Sequence, residues 1–544
     1  MKKIFFVFIT IVSFQYVLAQ ASEKKNFEIA KNVDIFNSIV KQLQVYYVDS
    51  IPMEEIVSSG IDAMLTKLDP YTNYIPESDT KDFLQMTTGE YGGIGSVISL
   101  RNSQIHIVEL YENAPAHTYG LQVGDKILEV DGKSTKGLSV SEVSSMLKGT
   151  PSTTVQIVVE RMGMKKPIHY SIVREKIYLN PVTYAGILPG KSNIAYIRLN
   201  SFTENCAEEV KKALQDLAKK GATSLILDLR GNGGGVINDA IAISGLFLPK
   251  GTEIVSTKGK NAEMDRSYKT SSDPLFPNLP LAILVNESSA SAAEIVAGAM
   301  QDLDRGIIIG RNTYGKGVIQ STYPLPYNTN IKITIAKYYT PSGRCIQSSK
   351  HIARLASTNS DSIEHVFATQ NGRVVKEGQG IMPDILVPES TLKTITYHLV
   401  SNAYFYDFVN IYTQQHATIP PIEEFAVSDD LFNQYKDYII KQNFTYELQS
   451  EKGLQKLIET AKNEGYYDEN KVYFSDLEKV LKHDINQDII DAKEEISELL
   501  AAEIVKRYYF QRGELQQLLK NDKELKRAIE IVSDQDTYQT MLKP

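Results

Sequence analysis

Two short, almost wholly apolar runs, each leading into a loop and then a helix-forming stretch, constrain this chain more than any other feature. Ser224–Leu229 leads into Arg230-Gly231-Asn232-Gly233-Gly234-Gly235 and then a helical pattern through Leu246. Leu281–Val285 leads into Asn286–Ala290 and a helix from Ser291 to Met300. Short apolar runs that do not alternate with polar residues read as strands covered on both faces. Strand, loop and helix recurring in that order is the pattern of an α/β unit, and Ile307–Gly310 and Lys332–Tyr339 read as further strands of it. At 544 residues the chain exceeds one ordinary domain, so the expected fold class is α/β and multidomain.

Other segments fall on either side of that unit. Residues 1–20 have the form of a secretory signal: Lys2 and Lys3, an apolar run from Ile4 to Phe14, and Val17-Leu18-Ala19 before a cut. The mature protein is therefore expected outside the cytoplasm, in the periplasm or cell envelope; the alternative is an uncleaved anchor, although the apolar run is shorter than the roughly 18 residues that span a bilayer. Residues 21–86 form an N-terminal helical segment, because Ile35, Ile39, Leu43 and Tyr46 share one face of a helix and Ile61, Met64, Leu65 and Leu68 another. Residues 87–176 read as a β module: Gly95–Leu100, Ile105–Leu110, Lys126–Val130, Thr154–Glu160 and Ile168–Val173, with one helix at Ser141–Leu147. The α/β unit fills 177–390. Residues 391–544 are mostly helical and polar, with a capping box expected at Ser475-Asp476-Leu477-Glu478. The net charge of −8 gives no basis for nucleic-acid binding. Cys206 and Cys345 have no second Cys or His at metal-ligand spacing; they either pair or stay as buried thiols.

The chemistry concentrates at the two loops. A serine between a buried strand and a helix is held rigidly beside free main-chain N–H groups and the positive end of the helix dipole. That suits a nucleophile and its oxyanion, although Ser288, Ser289 and Ser291 would also serve as plain helix caps. None of the eight histidines lies between 170 and 350. A lysine can replace histidine as base if burial lowers its pKa from about 10.4 to about 7–8, a bias of roughly 4 kcal/mol toward the neutral form. Lys316, in Thr313-Tyr314-Gly315-Lys316-Gly317-Val318-Ile319-Gln320, has the apolar and glycine neighbours that such a pocket needs. Gly310, Gly315 and Lys316 also fit part of a phosphate-binding loop. However, Gly317 stands where Ser or Thr would hold magnesium, and a β-like run follows instead of a helix. The glycines at 231–235 permit positive φ and a close approach of main chain to a substrate, or simply a tight turn.

The β module resembles a PDZ domain in Gly92-Gly93-Ile94-Gly95, Ala114-Pro115-Ala116, Gly120-Leu121, Gly124-Asp125-Lys126-Ile127 and Val130-Asp131-Gly132. Over residues 35–390 the chain resembles the carboxy-terminal processing peptidases. The resemblance rests on Tyr46-Tyr47-Val48-Asp49, Leu68-Asp69-Pro70-Tyr71, Asp228–Gly235, Leu284–Ile295, Thr313–Gln320, Ala336–Gln347 and Gly380–Ile385, all in the family's order and spacing. It implies a ClpP/crotonase-like protease core with an inserted PDZ module. It further implies Ser291 as nucleophile, Lys316 as general base and Gln320 as the residue that orients the lysine. The N–H groups of Gly235 and Ala292 would form the oxyanion hole. Ala293 departs from the family, which often has serine there.

The reaction expected is acyl transfer by a serine endopeptidase that cuts proteins near or from their C-termini, with no metal and no small-molecule cofactor. The PDZ loop Gly92-Gly93-Ile94-Gly95 would bind the carboxylate of a substrate tail through successive N–H groups, with Ile94 and the β-rich wall beyond it lining an apolar pocket. Expected partners are protein substrates held by their C-terminal tails, and a further copy of the chain through the helical segments. The rival readings are a non-catalytic PDZ adaptor and a crotonase-like acyl-CoA enzyme. The adaptor has no use for Ser291, Lys316 and Gln320 together, and CoA chemistry has none for a signal segment and a PDZ module.

Overall fold

A computed structural model describes residues 26–191, 193–348 and 365–544. The expected signal segment lies outside them. The chain forms two compact units. One comprises the described residues up to Glu77 together with Gln320–Thr334, and the other comprises Ser78–Ile319 and Ile335–Pro544.

In the first unit the expected helical stretch is two helices, residues 26–46 and Met53–Thr66, because Pro52 opens the second. The stripe of Ile35, Ile39 and Tyr46 is exposed, at 48%, 52% and 77%. Asn73–Ile75 pairs antiparallel with residues 330–332.

The second unit is built on a six-stranded sheet in the order Val182–Ile187, Ile194–Leu199, Ser224–Asp228, Leu281–Val285, Ile307–Gly310, Ile385–Leu386. The first pair is antiparallel and the remaining neighbours are parallel. Successive side chains of a strand point to opposite faces, and here both faces are covered. Ile197, Leu227, Ile283 and Ile308 pack beneath the helices Cys206–Lys219, Ile237–Ser244 and Ala292–Asp302. Tyr196, Ile226, Leu284 and Ile309 pack beneath Leu525, Ala528, Ile531 and Val532 of the helix Lys523–Ser533. This is why the strands read as unbroken apolar runs.

The PDZ module has strands Ser96–Arg101, Gln104–Leu110, Lys126–Val130, Thr154–Glu160 and Ile168–Val173 in one antiparallel sheet. Its helix Val140–Leu147 starts in a capping box of Ser139 and Glu142. The C-terminal region is helical, and its own core is formed by residues such as Phe405, Tyr435, Ile439, Ile496 and Val505. It grips the PDZ module: the Tyr406 hydroxyl donates to the Ile107 carbonyl oxygen at 2.8 Å, and Lys506 pairs with Glu109 at 3.1 Å. The capping box expected at Ser475 is not formed. A turn at Gly465, with φ of 81°, starts the helix Tyr467–Leu481 earlier, with Asp468 and Glu469 in its first turn, so Ser475 lies mid-helix. Cys206 and Cys345 are buried and free. Among the described residues no helix is long and apolar enough to cross a membrane.

Candidate active site

The two loops meet at the carboxyl ends of the parallel strands, where ligands bind in open α/β sheets. Ser291 caps the helix Ala292–Asp302 at φ 55° and ψ −112°. That left-handed backbone costs a non-glycine residue about 1–3 kcal/mol and persists only where its surroundings impose it. Those surroundings are visible. The Asn286 side chain accepts from the Gly231 N–H at 2.9 Å, the Ala290 N–H donates to the Asn232 carbonyl at 2.9 Å, and the Ser289 hydroxyl donates to the Leu229 carbonyl at 2.8 Å. A Cβ added to Gly234 would come within 2.7 Å of the Ser291 Cβ and 2.9 Å of the Ala292 nitrogen. Glycine at 234 therefore lets the loop lie directly against the serine. Among the described residues the N–H groups of Gly235 and Ala292 donate to no protein group.

Glu294 links this serine to the lysine loop, and the sequence reading missed it. Its carboxylate is wholly buried. One oxygen accepts from the Ser291 N–H at 2.8 Å and the Lys316 N–H at 2.9 Å. The other accepts from the Thr313 hydroxyl at 2.5 Å and the Gly315 N–H at 2.7 Å. Burial pushes the carboxyl above its ordinary value, while these four donors pull it down. The available signal was Glu294's place three residues after Ser291, where a capping-box acid belongs.

Tyr338, buried to 1%, works from the carbonyl side. Its hydroxyl donates to the Lys316 carbonyl oxygen at 2.6 Å, with the Ser291 carbonyl oxygen 3.2 Å away. Ser291 and Lys316 are thus held in common through their N–H groups by Glu294 and through their carbonyls by Tyr338. Tyr338→Phe deletes the hydroxyl and keeps the ring. A lost buried hydrogen bond of this kind costs about 1–2 kcal/mol. The expected result is a fall in kcat of about tenfold at unchanged KM, read by steady-state kinetics on an unfolded protein substrate.

Ser291 and Lys316 are both half-buried. Gln320 lies in the other unit, in the strand Val318–Pro324, where its side-chain amide donates to the Tyr71 carbonyl oxygen. In the PDZ module Gly92 and Gly93 lie in the strand Glu90–Gly93, paired with Glu175–Tyr178. The Ile94 side chain is 2% exposed and packs in the module's core with Ile105 and Leu121. It therefore does not line a pocket as expected; what position 94 presents is its amide. Gly95 has φ of 75°, and a Cβ there would meet Ala114 at 2.3 Å. Among the described residues the N–H groups of Ile94 and Gly95 donate to no protein group.

Comparison with known proteins gives the class first. Residues 193–353 match the model of peptidase family S41, residues 106–161 that of the PDZ domain, and residues 395–532 that of the probable PDZ-protease C-terminal helical domain. The molecule is a serine peptidase carrying a PDZ domain. It is 35% identical over 352 residues to a carboxy-terminal-processing protease of Bartonella bacilliformis, covering 64% of this chain and 80% of that one. It is 30% identical over 383 residues to the carboxy-terminal processing protease CtpA of Bacillus subtilis, covering 70% and 80%. A solved structure titled photosystem II D1 C-terminal processing protease matches 66% of this chain and 94% of its own, at 25% identity and a TM-score of 0.35. The chain belongs to the carboxy-terminal processing protease family.

Proposed function

We propose that this serine protease acts outside the cytoplasm, in the periplasm or cell envelope, and that it cuts proteins whose C-terminal tails dock on its PDZ module. Ser291 is the nucleophile and Lys316 the general base. Neutral Lys316 takes the proton of the Ser291 hydroxyl as Oγ attacks the scissile carbonyl carbon. The N–H groups of Gly235 and Ala292 hold the oxyanion. Lys316 then passes the proton to the leaving amine as the C–N bond breaks, leaving an acyl-enzyme. Water attacks that ester, its proton goes to Lys316 and on to Ser291, and the shortened chain leaves with a new carboxyl end. Gln320, four residues beyond Lys316, orients the lysine, as the family resemblance implies. The observation that carries this reading is the shared Glu294 carboxylate, which supports the main chain of both dyad residues. The exposed Ile35, Ile39 and Tyr46 stripe supports a homo-oligomer formed through the helical segments.

For the tail, the amides of Ile94 and Gly95 are the donors offered to a terminal carboxylate, and the peptide adds as a strand beside Ser96–Arg101. The test compares one unfolded substrate with a free apolar C-terminus, an amidated C-terminus or two added aspartates. The free apolar tail should be degraded fastest, by about tenfold or more given the loss of a charge-assisted contact. Equal rates for all three would remove the PDZ module from substrate selection.

A further inference from the structure

The helix Lys523–Ser533 does more than cover the sheet. Its apolar face, Leu525, Ala528, Ile531 and Val532, fixes its register on the strands. That register brings Asp522 and Glu524, at its N-terminal end, beside Arg230 and Arg311. Arg230 directly precedes the glycine loop. Its guanidinium, 13% exposed, pairs with Asp228 at 2.7 Å, with Asp522 at 2.7 Å and with Glu524. The second oxygen of Glu524 takes Arg311 at 2.8 Å, and Arg311 in turn holds Glu287, in the loop before Ser291, at 2.8 Å. One carboxylate therefore serves the anchors of both loops.

Four of the five residues from Gly231 to Gly235 are glycine, so the loop has little side-chain packing of its own. Within it the buried Asn232 side chain donates to the Leu199 carbonyl at 2.8 Å and the Gly234 carbonyl accepts from the Phe202 N–H at 3.0 Å, while its ends are set by Arg230 on one side and by the Val236 N–H donating to the Phe202 carbonyl at 2.7 Å on the other. We propose that the C-terminal helical domain completes the active site, with Glu524 and Asp522 as positioning residues that set the glycine loop through Arg230 and the serine loop through Arg311 and Glu287. This rests on the reading of Ser291 as nucleophile and of 231–235 as the oxyanion loop.

The test uses the full chain carrying Glu524→Gln or Glu524→Asp. It measures kcat and KM on a tail-bearing unfolded protein, the rate at which a fluorophosphonate probe labels Ser291, and the thermal midpoint. Rates are divided by titrated active sites. For Glu524→Gln, kcat and probe labelling should both fall about tenfold with KM within about twofold, the pattern of a misplaced reacting group. Glu524→Asp should recover part of both. A purely structural role would lower the thermal midpoint and leave the rate per active site unchanged. Rates within twofold of wild type in folded Glu524→Gln would overturn the inference. If that variant does not fold, Asp522→Asn, whose side chain still caps the helix, carries the same test: a kcat loss of about threefold or more supports it and no loss overturns it. Probe attached to a residue other than Ser291 in the wild type would instead overturn the reading of the site itself.

Discussion

Ser291→Ala should lose at least about 10⁴-fold in kcat on any protein substrate, and Lys316→Ala should lose as much, because in the proposed mechanism nucleophile and base act as one unit and losing either removes the activation of the other. The double variant should be little worse than either single one. Both proteins should remain folded. Ser291 is half-exposed, and its main-chain bond to Glu294 survives truncation of the side chain. Thermal midpoints close to wild type, beside absent turnover and absent fluorophosphonate labelling, are the measurements that check this. Turnover above background in folded Ser291→Ala, free of contaminating protease, would end the assignment.

Glu294→Ala should be damaging in a different way. It removes the acceptor for three main-chain N–H groups and the Thr313 hydroxyl at a wholly buried position. An unsatisfied buried donor costs about 1–3 kcal/mol, and these losses do not add in full, so a stability loss of about 3–5 kcal/mol is expected. Denaturant unfolding should show it as a lower midpoint with an unchanged slope. Unlike the serine and lysine variants, this one should also lose about 100-fold or more in kcat at temperatures where it is folded, because the main chain of both reacting residues is released. Glu294→Gln keeps the volume but turns an amide toward N–H groups, so it should recover little. A folded Glu294→Ala protein with near-normal kcat would show that the carboxylate serves the fold alone.

Part of this was legible in the sequence because it rests on local rules. The strands Ser224–Asp228 and Leu281–Val285 declare themselves by lacking alternation, and the structure supplies the reason in helices packed on both faces. The PDZ strands were legible from β-rich runs cut by turns. What was hidden depends on distance along the chain. Glu294 reads as a cap until Gly315 and Lys316 are folded onto it, and Tyr338 reads as one more strand residue until its hydroxyl finds the two carbonyls. Glu524 lies 294 positions from Arg230, and no periodicity could pair them. Ser475 failed for the opposite reason: its local signal was sound, but a turn at Gly465 had already begun the helix. Ile94 was misread because an apolar residue after two glycines can face a ligand or the module's own core, and it faces the core.

The two-sided cover of the sheet also bears on how the molecule comes into being. Synthesis delivers Ser291, Lys316 and the glycine loop early, and covers one face of the sheet beneath them with helices made at nearly the same time. The other side stays bare for some two hundred residues more, until the segment holding Leu525, Ala528 and Ile531 has been made and can reach back to Ile226 and Leu284. Contacts of such wide separation form late and slowly, and an uncovered apolar sheet in the interval is prone to aggregate. A growing chain would thus carry Ser291 and Lys316 while one face of the sheet beneath them is still bare, and until the helix Lys523–Ser533 is made that face is open to association with its neighbours.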